Sequence, residues 1–224
     1  MKLKKFLSAF FYLLFFLLFA GQISLELNPK FIATAKERIA FMLIISCAAI
    51  IAAVYRCSGE RIKAKRKKTV RACVYMLFCV YIFNLAVLLF FDRGMRLTQA
   101  SDITRYLKLN VNFVPLRTIA KYYNAWRKNR IGLYYVVINL LGNFFAFAPF
   151  GFFLPVINKG FYKFHRFILT VSALIIFAEA AQFWFRIGSC DVDDFILNFS
   201  GAFLAFIIFR TKAARAFLSR HNII

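Results

Sequence analysis

Nine polar side chains stand where their chemistry is costly to keep. Asn139 and Asn143 are four apart, Glu179, Gln182 and Arg186 follow at intervals of three and four, and Asp194 and Asn198 are again four apart. Asp191 and Asp193 come just before the last pair. Side chains three or four apart share one face of an α-helix, so each set reads as a polar stripe. Carboxylates flanked by amides can hold a donor, act as general base or acid, relay a proton, or close a hydrogen-bonded clasp. The parts that would narrow this choice are missing from the sequence: there is no nucleophile elbow, no His/Glu metal motif and no phosphate loop, and His165 and His221 stand alone. No catalytic residue, metal or cofactor is therefore assigned, and the enzymatic question stays open, leaning towards no.

The elements that must position these residues are greasy. The 224-residue chain is 62% hydrophobic, with 31 Phe and only 18% charged residues. That is more apolar surface than one soluble core of this length can hide. A net charge of +22 would suggest nucleic acid in a soluble domain. Here Lys and Arg fall in short stretches between apolar runs, a topology signal with attraction to anionic headgroups as its secondary effect, so nucleic acid is not expected as a partner. Cys47, Cys73 and Cys79 lie inside apolar runs, Cys57 and Cys190 at their ends, and no pair has metal-ligand spacing.

A spanning helix needs about 20 mostly apolar residues. Such runs cover 6–25, 39–55, 70–91, 133–157, 164–185 and 192–209. The fold class expected is an all-α polytopic membrane bundle of about six helices, the bilayer being its first partner. The first run, with Lys2, Lys4 and Lys5 ahead of it, also resembles a signal peptide. Leu18 before Ala20 fits the cleavage pattern poorly, so an uncleaved anchor is expected. Basic residues crowd the link from Arg56 to Arg71, the link with Lys159, Lys163 and Arg166, and the end with Arg210, Lys212, Arg215 and Arg220. All three fall on the side of the N-terminal lysines, which predicts both termini in the cytoplasm. The link 92–132 opposes this with nine Lys and Arg, among them Arg117, Lys121 and Arg127. With Tyr106, Tyr122, Tyr123 and Trp126 it is read either as an amphipathic segment along the headgroups or as a solvated loop.

In that orientation Asn139 and Asn143 sit roughly 9 to 15 Å below the outer surface, with Glu179 at similar depth and Asp193 and Asp194 at the outer mouth. A carboxylate in mid-bilayer costs about 2.5 to 3.5 kcal/mol on insertion scales, so Glu179 must be paired, hydrated or protonated. The stripes of the last three helices are expected to face one another, with Gly142 and Ala146 offering a small contact surface on the fourth. Asn198, Gly201 and Ala205 continue the stripe of the sixth. Pro149, Gly151 and Pro155 predict a kink in the cytoplasmic half of the fourth helix.

In order along the chain stand Asn112-Phe-Val-Pro115-Leu, Asn139-Leu-Leu-Gly142-Asn143, Phe147-Ala-Pro149-Phe-Gly151-Phe, Glu179-Ala-Ala-Gln182 and Asp191-Val-Asp193-Asp194, running on to Asn198-Phe-Ser-Gly201. This series resembles the VanZ-like family from about 110 to 210. It departs in two places, with Phe199 where the family usually has Thr and Phe150 where Leu is customary. The division expected is a two-helix extension over 1–69, a VanZ-like domain over 70–210 and a basic cytoplasmic tail over 211–224.

The resemblance implies a multi-pass protein of the bacterial cytoplasmic membrane that lowers sensitivity to lipid-anchored glycopeptides of the teicoplanin type. It supplies no mechanism. The residues suggest an outer-facing polar pocket that engages a lipid-linked wall precursor or the lipophilic antibiotic. An intramembrane enzyme acting on a lipid headgroup is the first alternative and a proton-coupled transporter the second. In the transporter reading a membrane carboxylate fits, but no inverted repeat is visible.

Overall fold

The computed structural model describes residues 2–28, 30–91 and 110–224. Its elements are α1 (Lys2–Leu27), α2 (Ala35–Ser58), α3 (Lys63–Ala86) with a π-helical turn (Val87–Phe91), β1 (Val111–Asn112), α4 (Arg117–Arg127), α5 (Leu133–Ala146) and α6 (Phe150–Ile157). A 3₁₀ turn (Lys159–Tyr162), α7 (Phe164–Trp184), β2 (Cys190–Asp191), α8 (Val192–Arg210) and α9 (Lys212–Arg220) complete the described residues. Among the described residues six helical stretches are long and apolar enough to cross a membrane: α1, α2, α3 with its π turn, the α5–α6 pair, α7 and α8. The polytopic all-α bundle expected from the sequence is what the chain forms. Each run is longer than or equal to its expected span except at α7, because flanking Lys and Ser extend a helix beyond its apolar core at little cost.

Two compact units result, Met1–Arg93 with Arg215–Ile224, and Gly94–Ala214. The third helix packs on α2. The stretch 211–224, read as a tail, is helical over α9 and contributes its last ten residues to the first unit. Small residues allow this packing: Ala48, Ala49 and Ala53 of α2 are buried and let Phe15 of α1 and Cys73 and Val80 of α3 close around them.

The start of α2 is set by a capping box in which Thr34 accepts from the Glu37 amide and the Glu37 side chain accepts from the Thr34 amide. Within this unit the buried Ser8 hydroxyl donates to the Ala52 carbonyl, and Gln22 Nε2 donates to Asn84 Oδ1 at 2.8 Å. Arg38 Nε and Nη2 donate to the two carboxylate oxygens of Glu26 at 2.9 and 3.2 Å.

In the second unit α8 is the hub, touched by α5, α6 and α7. Phe167 of α7 stacks on Phe206 of α8 with centroids 4.0 Å apart, both rings fully buried. Phe167, Val171, Ile175 and Ala178 form the buried face of α7, whereas Leu169, Ile176 and Phe177 turn outward. On α8 Leu204, Ile207 and Ile208 likewise lie exposed. Apolar outside and polar within is the arrangement hydrocarbon solvent selects.

The kink expected near Pro149 is a complete break. The Ala148 amide bonds to Phe145 rather than Phe144, and Phe150 and Gly151 bond three residues back, tightening the chain into a turn before α6. Pro149 has no amide to continue the helix, which is why the ladder ends there. The break carries Gly151 against α8: a Cβ at that position would lie 2.5 Å from the Phe206 amide nitrogen and 2.6 Å from the Ala202 carbonyl. Gly201 of α8 is packed tighter still, since a Cβ there would overlap the Phe144 carbonyl oxygen. The small-residue contact between these helices is therefore made by Gly201 and not by Gly142. Gly142 is exposed, with open space where its Cβ would be.

Candidate functional site

The site is built around the first turn of α8. β1 and β2 pair in parallel, Val111 beside Cys190 and Asn112 beside Asp191, which delivers two loop segments of distant sequence to one place. Pro115 and Leu116 then form the centre of a turn closed by the Arg117 amide on the Val114 carbonyl, with Leu116 at φ 64°. Proline followed by a left-handed residue is the type II arrangement. The turn aims the free amides at the start of α4 towards α8.

Asp193, fully buried, receives them. Its Oδ1 accepts from the Leu116 amide at 2.5 Å, and its Oδ2 accepts from the Thr118 and Ile119 amides at 2.7 and 3.2 Å. A carboxylate at this point satisfies the orphan donors of α4 and favours the positive end of its helix dipole. Asp191 acts at two levels. Its Oδ1 caps α8 through the Asp193 amide at 2.9 Å and accepts from Asn112 Nδ2 at 2.9 Å. Its Oδ2 accepts from the Thr118 hydroxyl at 2.5 Å. Asn112 also holds its own turn by accepting from the Val114 amide.

Asp194 points the other way, to α5, where Asn143 Nδ2 donates to its Oδ1. One turn further along the same face is Asn198, only 3% exposed, and three residues beyond that Gly201 meets Phe144 of α5. Asn198 thus lies between two contacts with α5, and its Oδ1 is buried without a hydrogen-bond partner. Glu179 approaches from α7, close enough for its charge to interact with those of Asp194 and Asp191. Its Oε2 is also buried without a partner.

Two groups at the rim register the negative field. Tyr122, half-buried on the inner face of α4, has its phenol held above the ordinary value, first by burial and then by the charges of Asp194, Tyr135 and Asp191. The Cys190 thiol is raised first by burial and then by Glu179 and Asp191.

Three expected members stand apart. Asn139 turns back on its own helix, donating from Nδ2 to the Tyr135 carbonyl at 2.7 Å, a local bond that competes with any contact across the bundle. Arg186 is not on the α7 stripe, because α7 ends at Trp184. It takes the left-handed position, φ 55°, of a C-terminal cap in which its amide bonds to Phe183 and that of Ile187 to Gln182. That is the Schellman arrangement, with Arg where Gly is usual. Gln182 packs its side chain against Gly188 of the following loop. The structure thus brings together Asn143, Glu179, Asp191, Asp193, Asp194 and Asn198, joined by Asn112. Sequence reasoning missed Thr118 and the three amides. Their only signal is position, just past a Pro-containing turn at a helix start. The basic link that contains them forms α4 over its described part, an amphipathic helix with Thr118, Ile119, Tyr122 and Ala125 inward. Arg93, Arg96, Arg105, Tyr106 and Lys108 lie outside the described residues.

No curated protein and no solved structure matches the chain. The family described as VanZ/LLP1 matches over residues 78–215, well over half the chain and all of the site just described. A membrane-helix protein with these elements in this order, the chain belongs to the VanZ/LLP1 family.

Proposed function

We propose that this is a multi-pass protein of the bacterial cytoplasmic membrane that lowers sensitivity to teicoplanin-type glycopeptides. The acid cluster at the start of α8 forms its ligand site, open to the outer leaflet. One observation carries this reading: Glu179 Oε2 and Asn198 Oδ1 are both buried and both without a partner. Leaving a carboxyl oxygen and an amide oxygen unsatisfied together costs about 1–3 kcal/mol each, a cost that a bound ligand would offset. The amphiphile it engages is a lipid-linked wall precursor or the lipophilic antibiotic itself, and both termini lie in the cytoplasm.

The test is a drug-sensitivity panel in a susceptible Gram-positive host, with and without the gene, and with Glu179→Gln and Asn198→Ala. The full chain is expected to raise the teicoplanin concentration needed to stop growth, and both variants to lose that effect while still accumulating in the membrane. A flat panel sinks the function. Equal protection by the variants sinks the site. Sidedness is read separately, by labelling Cys190 in intact cells with a membrane-impermeant thiol reagent in a chain whose other cysteines are replaced. Labelling is expected from outside.

A further inference from the structure

The atoms that the cluster leaves open say what it takes. With Glu179 ionised, one carboxylate oxygen and one amide oxygen are both acceptors, so a partner that completes them supplies hydrogen. They are also level with one another. Glu179 is five residues before the end of α7, and Asn198 six after the start of α8. On helices joined by one short loop this places them about 7.5 and 9 Å from the same end.

Charge narrows the class further. Asp191 is held by Asn112, Thr118 and an amide, Asp193 by three amides and Asp194 by Asn143. Among the described residues these donors are all neutral, so they satisfy oxygen lone pairs without adding a positive charge to the cluster. The first unit handles a buried acid differently, giving Glu26 the guanidinium of Arg38. A neutral hydroxyl would fill the open acceptors and bring no positive charge to the acids. A quaternary ammonium would compensate the field and leave the acceptors unfilled.

We propose that the site recognises a protonated amine, an ammonium group bearing N–H on an amphiphile, with Glu179 Oε2 and Asn198 Oδ1 accepting its protons and Asp194 completing the negative wall. This deepens the functional reading above and rests on the cluster being a ligand site. Asn143 is a positioning residue, since its side chain is committed to Asp194.

Three twelve-carbon amphiphiles separate the possibilities: dodecylammonium with charge and N–H, dodecyltrimethylammonium with charge alone, and dodecanol with a donor alone. Each is titrated at neutral pH into the full chain in uncharged detergent, with the thermal unfolding midpoint as readout. A ligand that binds only the folded state raises that midpoint with concentration. Dodecylammonium is expected to raise it, and the other two to need roughly tenfold higher concentration or more for the same shift, the factor one charged hydrogen bond is worth. Glu179→Gln, which keeps the side chain's shape and removes its carboxyl, is expected to erase the advantage of dodecylammonium, and Asn198→Ala to reduce it. Equal shifts from all three amphiphiles, no shift from any, or an undiminished advantage in Glu179→Gln overturn the proposal. A selective ammonium shift with a flat drug panel would instead retire the resistance reading and leave this one standing.

Discussion

The two units of this protein bury polar groups by opposite rules. In the first, buried polar side chains are matched among its three long helices: Glu26 with Arg38 through two bonds, Gln22 with Asn84, Ser8 with a backbone carbonyl. Gln22 Oε1 has no hydrogen-bond partner among the described residues. In the second, acids gather at one helix start, neutral groups hold them, and Glu179 Oε2 and Asn198 Oδ1 are left without a partner. A paired charge stabilises only as a pair, whereas an unpaired one is tolerated when something outside the fold completes it. If the acid cluster takes a ligand, the difference separates a fastening from a receptor, and it can be put under strain by substitution.

The largest effect is expected from splitting the pair in the first unit. Glu26→Ala leaves Arg38 buried and should cost about 3–5 kcal/mol in detergent-phase unfolding, while Glu26→Leu with Arg38→Met should recover most of it. Failure of the double change to recover would make the pair more than a fastening. Next is Gly201→Ala, which sets a Cβ on the Phe144 carbonyl oxygen, a backbone atom that no rotamer can move away. A cost of about 3 kcal/mol is expected, against nothing measurable for Gly142→Ala in open space. Asp193→Asn should cost about 2 kcal/mol, because its new NH₂ must oppose the Leu116 amide or the Thr118 and Ile119 amides.

Glu179→Gln should run the other way and raise the unfolding midpoint slightly. A clear loss of stability would mean that the carboxylate is fastened after all. The smallest effect is kinetic. A raised thiol holds less thiolate at pH 8, so Cys190 should alkylate more slowly than a free cysteine, with the gap closing as pH climbs through its own titration. Glu179→Gln should speed it, since part of the upward push is that charge. An unchanged rate would remove Glu179 from the neighbourhood of β2.

The bundle was legible because hydrocarbon leaves few choices: six apolar runs at spanning length become six helical stretches. Asn143, Glu179, Asp194 and Asn198 were legible for a related reason, since helical spacing puts i and i+4 on one face whatever the neighbours do. Arg186 was misplaced by the same rule, because nothing in Gln-Phe-Trp-Phe-Arg announces that the helix stops and the chain turns left-handed. Asn139 fits the spacing, yet a carbonyl on its own helix was nearer than the bundle. The roles of Asp191 and Asp193 were hidden for a deeper reason. Their partners are main-chain groups and a threonine more than seventy residues away, brought in by a two-residue strand pair that carries no periodicity to read.

Leu116 gives the cluster a second meaning. A branched side chain in the left-handed region costs about 1–2 kcal/mol, a debt Gly or Asn would not incur. It is outweighed only while its amide, and those of Thr118 and Ile119, can reach the Asp193 carboxylate. The entrance to α4 is therefore conditional: any event that draws Asp193 away from those amides releases the turn as well. What happens at the head of α8 is passed along a main-chain latch to an amphipathic helix rich in Arg, Lys and Tyr, so occupancy deep among the helices would be legible at the protein's surface.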